Sequence, residues 1–164
     1  MNNNYKNLTF SMETDSSVWK DEIQNILRAF KSLVKIIERN IFLPGNNWSF
    51  DVLLSDHDSI RILNYRYRGK NKATNILSFP QYQSLKQIKK FSRNKILGDI
   101  ILCWSVIQQE SLFQNKNFLD HLSHLFLHGL LHLLGFSHDK IKPAKYMENL
   151  EVLILHSIKI SNPY

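Results

Sequence analysis

Five of the seven histidines in this 164-residue chain fall between His121 and His138. His128 and His132 are four residues apart, so on a helix they share one face, a single turn from each other. Gly135 follows three residues later and can adopt the left-handed conformation that ends a helix, which lets the chain turn back toward His138. The pattern His128-x3-His132-x5-His138 offers three imidazole nitrogens to one ion and leaves a fourth position open for water, the make-up of a catalytic zinc site rather than a structural one. A helix can also carry histidines on a polar or core-facing stripe without binding anything. The glycine bend and the third histidine at this offset argue against that reading. His121 and His124 extend the same face toward the N-terminus, too far along to join a three-ligand site. They suit a supporting or substrate-facing role, or a purely structural one.

The spacing equals that of the metzincin proteases, in which a glutamate directly after the first histidine is the general base. Gly129 stands at that position here. Without a carboxylate above the metal water, peptide hydrolysis lacks its proton carrier, so either the base comes from elsewhere or the reaction is a different one. Asp99, Asp139, Glu148 and Glu151 are candidates for orienting a ligand imidazole. Glu148 and Glu151 read more simply as surface charges. A second constellation, Arg66, Arg68, Lys70 and Lys72, followed by Thr74, Asn75 and Ser78, could hold a phosphate, since guanidinium binds phosphate in a bidentate manner. By itself the run is also what a solvated basic loop looks like.

These residues need elements to position them. Phe118 to Leu134 reads as a buried helix carrying the histidines. Trp19, Ile23, Ile26, Leu27, Phe30, Leu33, Val34 and Ile37 recur at spacings of three and four, which predicts an amphipathic helix over Ser16 to Arg39. Trp48, Phe50, Val52 and Leu54 alternate with polar residues as in a half-buried strand. A strand near Tyr5 to Phe10, a short helix from Asp56 to about Tyr65, and strands at ILSF before Pro80 and at Ile96 to Cys103 complete the sheet. Ser105 to Gln114 reads as a helix, and Pro143 suits the first turn of a last one. Arg66 to Asn75 is expected as a basic loop, and Gln81 to Asn94 as a surface loop or mobile insert. Strands interspersed with helices, without repeats or linkers, predict one α+β domain over residues 1–164 with a mixed sheet.

Composition sets the outer bounds. Five Gly and four Pro with 12% aromatics exclude collagen-like and wholly disordered chains. Twenty-one Lys and Arg against fourteen Asp and Glu leave a formal charge of +7, which favours an anionic partner, nucleic acid or anionic lipid. Cys103 stands alone and cannot form an internal disulfide. The apolar stretch Phe118 to Phe136 carries Asp120 and four histidines, which are costly in lipid, so no membrane association and a cytoplasmic protein are expected.

Taken together, LNYRYRGKNKATNILSFP (Leu63 to Pro80), LGDIILC (Leu97 to Cys103) and HLFLHGLLHLLGFSH (His124 to His138) resemble the YbeY family of bacterial ribosomal RNA maturation endoribonucleases. The resemblance runs from about Phe50 to Leu155. It implies a zincin-like α+β fold, with a mixed sheet of about four strands packed with helices and the metal site on a helix-turn. It implies one zinc ion per chain on His128, His132 and His138, and Arg68 as the catalytic residue that binds phosphate, with Arg66, Lys70 and Lys72 beside it as substrate contacts. The implied activity is a metal-dependent, single-strand-specific endoribonuclease in 3′-end maturation of small-subunit ribosomal RNA and in ribosome quality control. Its implied partners are ribosomal RNA, the small subunit and other ribosome-assembly proteins. The chain departs from the family pattern at Ser137, where Asp is usual, and at Trp104 and Ser105, where Pro and an acidic residue are usual. A metallohydrolase of another substrate, or a ribosome-binding factor with a structural metal, remains the alternative from residues alone. Gly129 weighs against a peptide substrate, and a fourth protein ligand would favour the structural metal.

Overall fold

The computed structural model describes residues 8–45, 47–90, 95–137 and 141–164. Four strands form one mixed sheet: β1 (Leu8–Thr14), β2 (Trp48–Ser55), β3 (Ile76–Pro80) and β4 (Ile96–Cys103), in the order β1-β2-β4-β3. β1 pairs parallel with β2 and β2 parallel with β4, while the edge strand β3 runs antiparallel to β4. Six helices accompany it: α1 (Ile23–Asn40), α2 (His57–Arg68), α3 (Leu85–Lys90), α4 (Trp104–Phe113), α5 (Phe118–Leu133) and α6 (Ile141–Ser157).

The period-two pattern of β2 points Trp48, Phe50, Val52 and Leu54 into the main core, where α1 and α5 meet the sheet. Ile26, Phe30, Leu33, Val34 and Ile37 form the buried stripe of α1. The Phe30 ring stacks on Phe126 of α5, with centroids 3.7 Å apart and planes within 7°. The opposite sheet face is covered in part by α2, whose Ile60 packs with Leu77, Ile101 and Cys103. α5 is therefore the central helix, buried on most sides. Among the described residues no helix is long and apolar enough to cross a membrane.

Four segments differ from the sequence reading. The first helix divides into a 3-10 turn at Ser17–Trp19 and then α1. The second continues through Arg68, so Arg66 and Arg68 occupy its last turn rather than a loop. The stop is Gly69, in the left-handed region at φ 69°, where the Gly69 amide donates to Tyr65 O and the Lys70 amide to Asn64 O. Residues Tyr65 to Arg68 face solvent, so no apolar period marked the helix there. The expected insert at Gln81–Asn94 contains α3, anchored by buried Ile88, and is preceded by Tyr82, buried edge-on against Trp48. A six-residue helix with one anchor is too short to display a period. β1 runs past the expected end at Phe10 to Thr14; residues 1–7, which include the expected start, lie outside the described residues, as do 91–94.

Asp56 caps α2, its carboxylate accepting the Ser59 amide at 2.9 Å. That amide holds the Asp56 carboxyl below its usual range. A group depressed on folding contributes stability that is present above its unfolded pKa and is lost as pH falls through the folded one. Asp56→Ala is expected to cost about 1 kcal/mol at neutral pH, and the difference from the parent should close as the pH drops through the carboxylate range. Denaturant melts across that range check both statements.

Candidate metal centre

The face of α5 that the sequence marked carries His121, His124, His128 and His132 in order. The Nε2 atoms of His128 and His132 lie 3.1 Å apart. Their Nδ1 atoms are committed elsewhere. His132 Nδ1 is 3.1 Å from the Phe136 carbonyl oxygen, which can only accept, so this nitrogen carries the proton. His128 Nδ1 donates to Glu151 Oε1 at 2.8 Å. In the neutral rings both Nε2 atoms are then unprotonated, with their lone pairs 3.1 Å apart. That arrangement is repulsive unless a cation sits between them. Two nitrogens held ~2.0–2.1 Å from a tetrahedral zinc are about 3.3 Å from one another. The donor set therefore fits a metal.

The turn after α5 makes this geometry. Gly135 has φ 83°, and a Cβ there would sit 2.6 Å from the backbone of Ser84 and Leu85. The reversal brings the Phe136 amide to Leu131 O at 3.0 Å and turns the Phe136 carbonyl back onto the His132 ring. Gly129 meets a different constraint, since a Cβ built on it would lie 2.7 Å from Ile76 Cδ1 and 3.4 Å from Ile100 Cδ1. The helix lies close enough to β3 and β4 at this point that a side chain there, the metzincin glutamate included, fits only if the Ile76 methyl gives way.

Glu151 is the residue that sequence reasoning misjudged. Expected as a surface charge, it is fully buried on α6. Burial pushes its carboxyl up, but hydrogen bonds from His124, His128 and Tyr164 outweigh this and hold it at about 2. His124 Nε2 donates to Oε2 at 3.3 Å, and the Tyr164 hydroxyl donates to the same oxygen. One signal was available: Met147, Glu151, Ile154 and Leu155 share a helical stripe, and all four are buried. A carboxylate on an apolar stripe needs buried donors, and His124 and His128 supply them. Glu148, by contrast, is exposed as expected.

The remaining predicted residues divide as follows. His138, the proposed third ligand, lies outside the described residues, as do Asp139, Arg93 and Lys140. Among the described residues no group of three His, Cys, Asp or Glu side chains is placed to hold an ion. Asp99 does not serve the histidines: Ile100 faces α5, so Asp99 points to the other side of β4, into a groove of about 610 Å³ with Ser11, Glu13 and Asp51. Burial, and then Asp51, push its carboxyl up. Arg66, Arg68, Lys70 and Lys72 are exposed, and their side chains form no hydrogen bond or ion pair with a described residue. Tyr65 and Tyr67 are exposed beside them, Tyr67 resting on Phe79 with centroids 4.9 Å apart. His121 Nε2 donates to Glu110 Oε2 at 2.8 Å, and Asn75 Nδ2 donates to the same carboxylate at 3.0 Å. A hydrogen-bonded bridge thus ties α5 to the segment that follows the basic run.

Two outcomes test this construction. Gly129→Glu is expected to lose ~1–3 kcal/mol or more through overpacking, read by denaturant unfolding; unchanged stability would contradict the close approach. Glu151→Gln is expected to weaken zinc binding ~10–100-fold, measured by titrating zinc into metal-free protein.

Comparison with known proteins follows the same lines. The family model described as Endoribonuclease YbeY matches residues 4–159. A curated relative named Endoribonuclease YbeY from Bartonella henselae is 35% identical over 157 residues, covering 96% of this chain and 97% of that protein. One of the same name from Francisella tularensis subsp. novicida is 42% identical over 108 residues, 66% of each chain. In three dimensions the chain is similar to the solution structure of a Thermotoga maritima protein, with a TM-score of 0.61 at 21% identity over 91% of this chain and 88% of that one. That likeness bears on the fold, the expected α+β arrangement with a four-stranded mixed sheet.

Proposed function

This chain belongs to the YbeY endoribonuclease family, and from that premise we propose that it cleaves single-stranded RNA at a zinc site on α5 during 3′-end maturation of small-subunit ribosomal RNA. It is a hydrolase of RNA. The observation that carries the assignment of the site is the pair of Nε2 atoms 3.1 Å apart, each ring fixed through its other nitrogen. His128, His132 and His138 would hold one zinc ion. When bound, it supplies a Lewis acid that polarises a water or a phosphate oxygen.

The protein's own residues do the rest. Glu151 and the Phe136 carbonyl keep both rings in the tautomer whose Nε2 carries a lone pair for the ion. Gly129 carries no base over the site, so the substrate must arrive already activated by charge neutralisation rather than by a resident carboxylate. Arg68 serves that role: its guanidinium is free to pair with the scissile phosphate and to offset charge as it builds in the transition state. Arg66, Lys70 and Lys72 anchor the flanking phosphates. Tyr65 and Tyr67 offer exposed rings on which unpaired bases can stack. The small ribosomal subunit and other assembly proteins are the partners we propose, with the cytoplasm as the place and quality control of ribosomes as a further duty.

Arg68→Ala should lower cleavage of single-stranded RNA ~100–1000-fold while the zinc content per chain is retained. His128→Ala should lose both. Metal analysis beside a gel assay separates the two, and cleavage that survives in His128→Ala would remove the site.

A further inference from the structure

Glu151 sits in the core with no solvent exposure, yet only two of its three side-chain donors come from the helix it supports. The third is Tyr164, which arrives on a segment that crosses the molecule. After α6 the chain turns with the Ile160 amide donating to Leu155 O at 3.0 Å, and Lys159 adopts φ 65°. It then runs back along the start of α5. Lys116 Nζ, in the turn between α4 and α5, donates to Pro163 O at 2.6 Å. The Tyr164 ring meets His124 edge-on, with centroids 5.5 Å apart, and its hydroxyl donates to Glu151 Oε2. Ile158 and Ile160 pack against the core; beyond them, residues 160–163 and the start of α5 enclose a cavity of about 210 Å³, so the segment spans like a strap fixed at both ends.

The division of labour at the carboxylate gives the strap its consequence. Oε1 takes the His128 ring alone, and Oε2 takes both His124 and Tyr164. The terminal torsion of a glutamate is broad and nearly two-fold, so one donor does not define it. Two donors converging on Oε2 from different elements do, and they leave Oε1 aimed at His128 Nδ1. We propose that Tyr164, carried by the strap at residues 158–164, is a positioning residue for the metal centre, acting through Glu151 on the orientation of His128. The proposal rests on the reading of His128 as a metal ligand. Tyr164 touches neither metal nor RNA in this role. It preorganises the ring, and losing its hydroxyl allows the carboxylate to rotate and His128 to swing from the ligating geometry.

The test uses full-length, metal-free protein titrated with cobalt(II), followed by its visible absorption, and with zinc in competition with a chromophoric chelator. Tyr164→Phe keeps the ring on His124 and removes only the hydroxyl. We expect its zinc affinity to fall about tenfold and its cobalt spectrum to shift, with near-ultraviolet circular dichroism unchanged. Lys116→Met, which frees Pro163 without touching Glu151, should move both readouts in the same direction by less. His128→Ala distinguishes the two levels of the claim. If it abolishes binding while Tyr164→Phe and Lys116→Met bind and absorb as the parent does, the strap is only structural and the inference is overturned. If His128→Ala binds as the parent does, the ligand reading itself fails.

Discussion

A carboxylate with no access to water has to be met by donors, and the half of the molecule that carries the site is arranged around meeting Glu151. Leaving a buried group without a hydrogen-bond partner costs ~1–3 kcal/mol, and more when the group is charged, so the elements that supply the donors cannot drift apart cheaply. α5 contributes His124 and His128, α6 contributes the carboxylate, and Tyr164 closes the third side. What looks like a stability cost doubles as preorganisation. A ring held through Nδ1 presents Nε2 in one direction, and a neighbouring ring held through the Phe136 carbonyl presents its own Nε2 to the same point.

The second constraint is distance between layers. At Gly129 the helix lies against Ile76 and Ile100, and a side chain there would have to displace the Ile76 methyl. That contact sets how close the histidines lie to the edge strand β3, whose start is tied through Asn75 and Glu110 to His121. It also removes the position from which a metzincin takes its base. Glycine at the place where a metzincin carries its base suits a substrate that brings its own negative charge, and cations on and just beyond the last turn of α2 suit the same substrate.

Much of this was legible in residue order, for a physical reason. Period and capping are local properties, so His128, His132 and the stop at Gly135 could be placed on one helix and its end, and the alternation from Trp48 to Leu54 gave β2. The fold class followed from the order of strands and helices. Glu151 was misread because its burial depends on which elements pack beside α6, although its stripe with Met147 and Ile154 carried a hint. The reach of α2 to Arg68 was hidden because an exposed last turn needs no apolar residue. The contribution of Tyr164 depends on a chain reversal and a lysine far off in sequence, and no local pattern encodes that. Asp99, plausible by its position in the LGDI strand, fell on the wrong face because the period of two turns it away from α5.

The central claim is that Glu151 and the Phe136 carbonyl fix two ring tautomers so that both Nε2 lone pairs converge on one ion. Long-range proton–nitrogen correlation spectra of the histidine side chains, recorded without metal and again with one equivalent of zinc, test it directly. The account predicts the Nδ1–H tautomer for His128 and His132 in the metal-free protein, with the Nε2 resonances of both rings moving together as zinc is added. An Nε2–H tautomer at either ring, or zinc that leaves both Nε2 resonances in place, would contradict it.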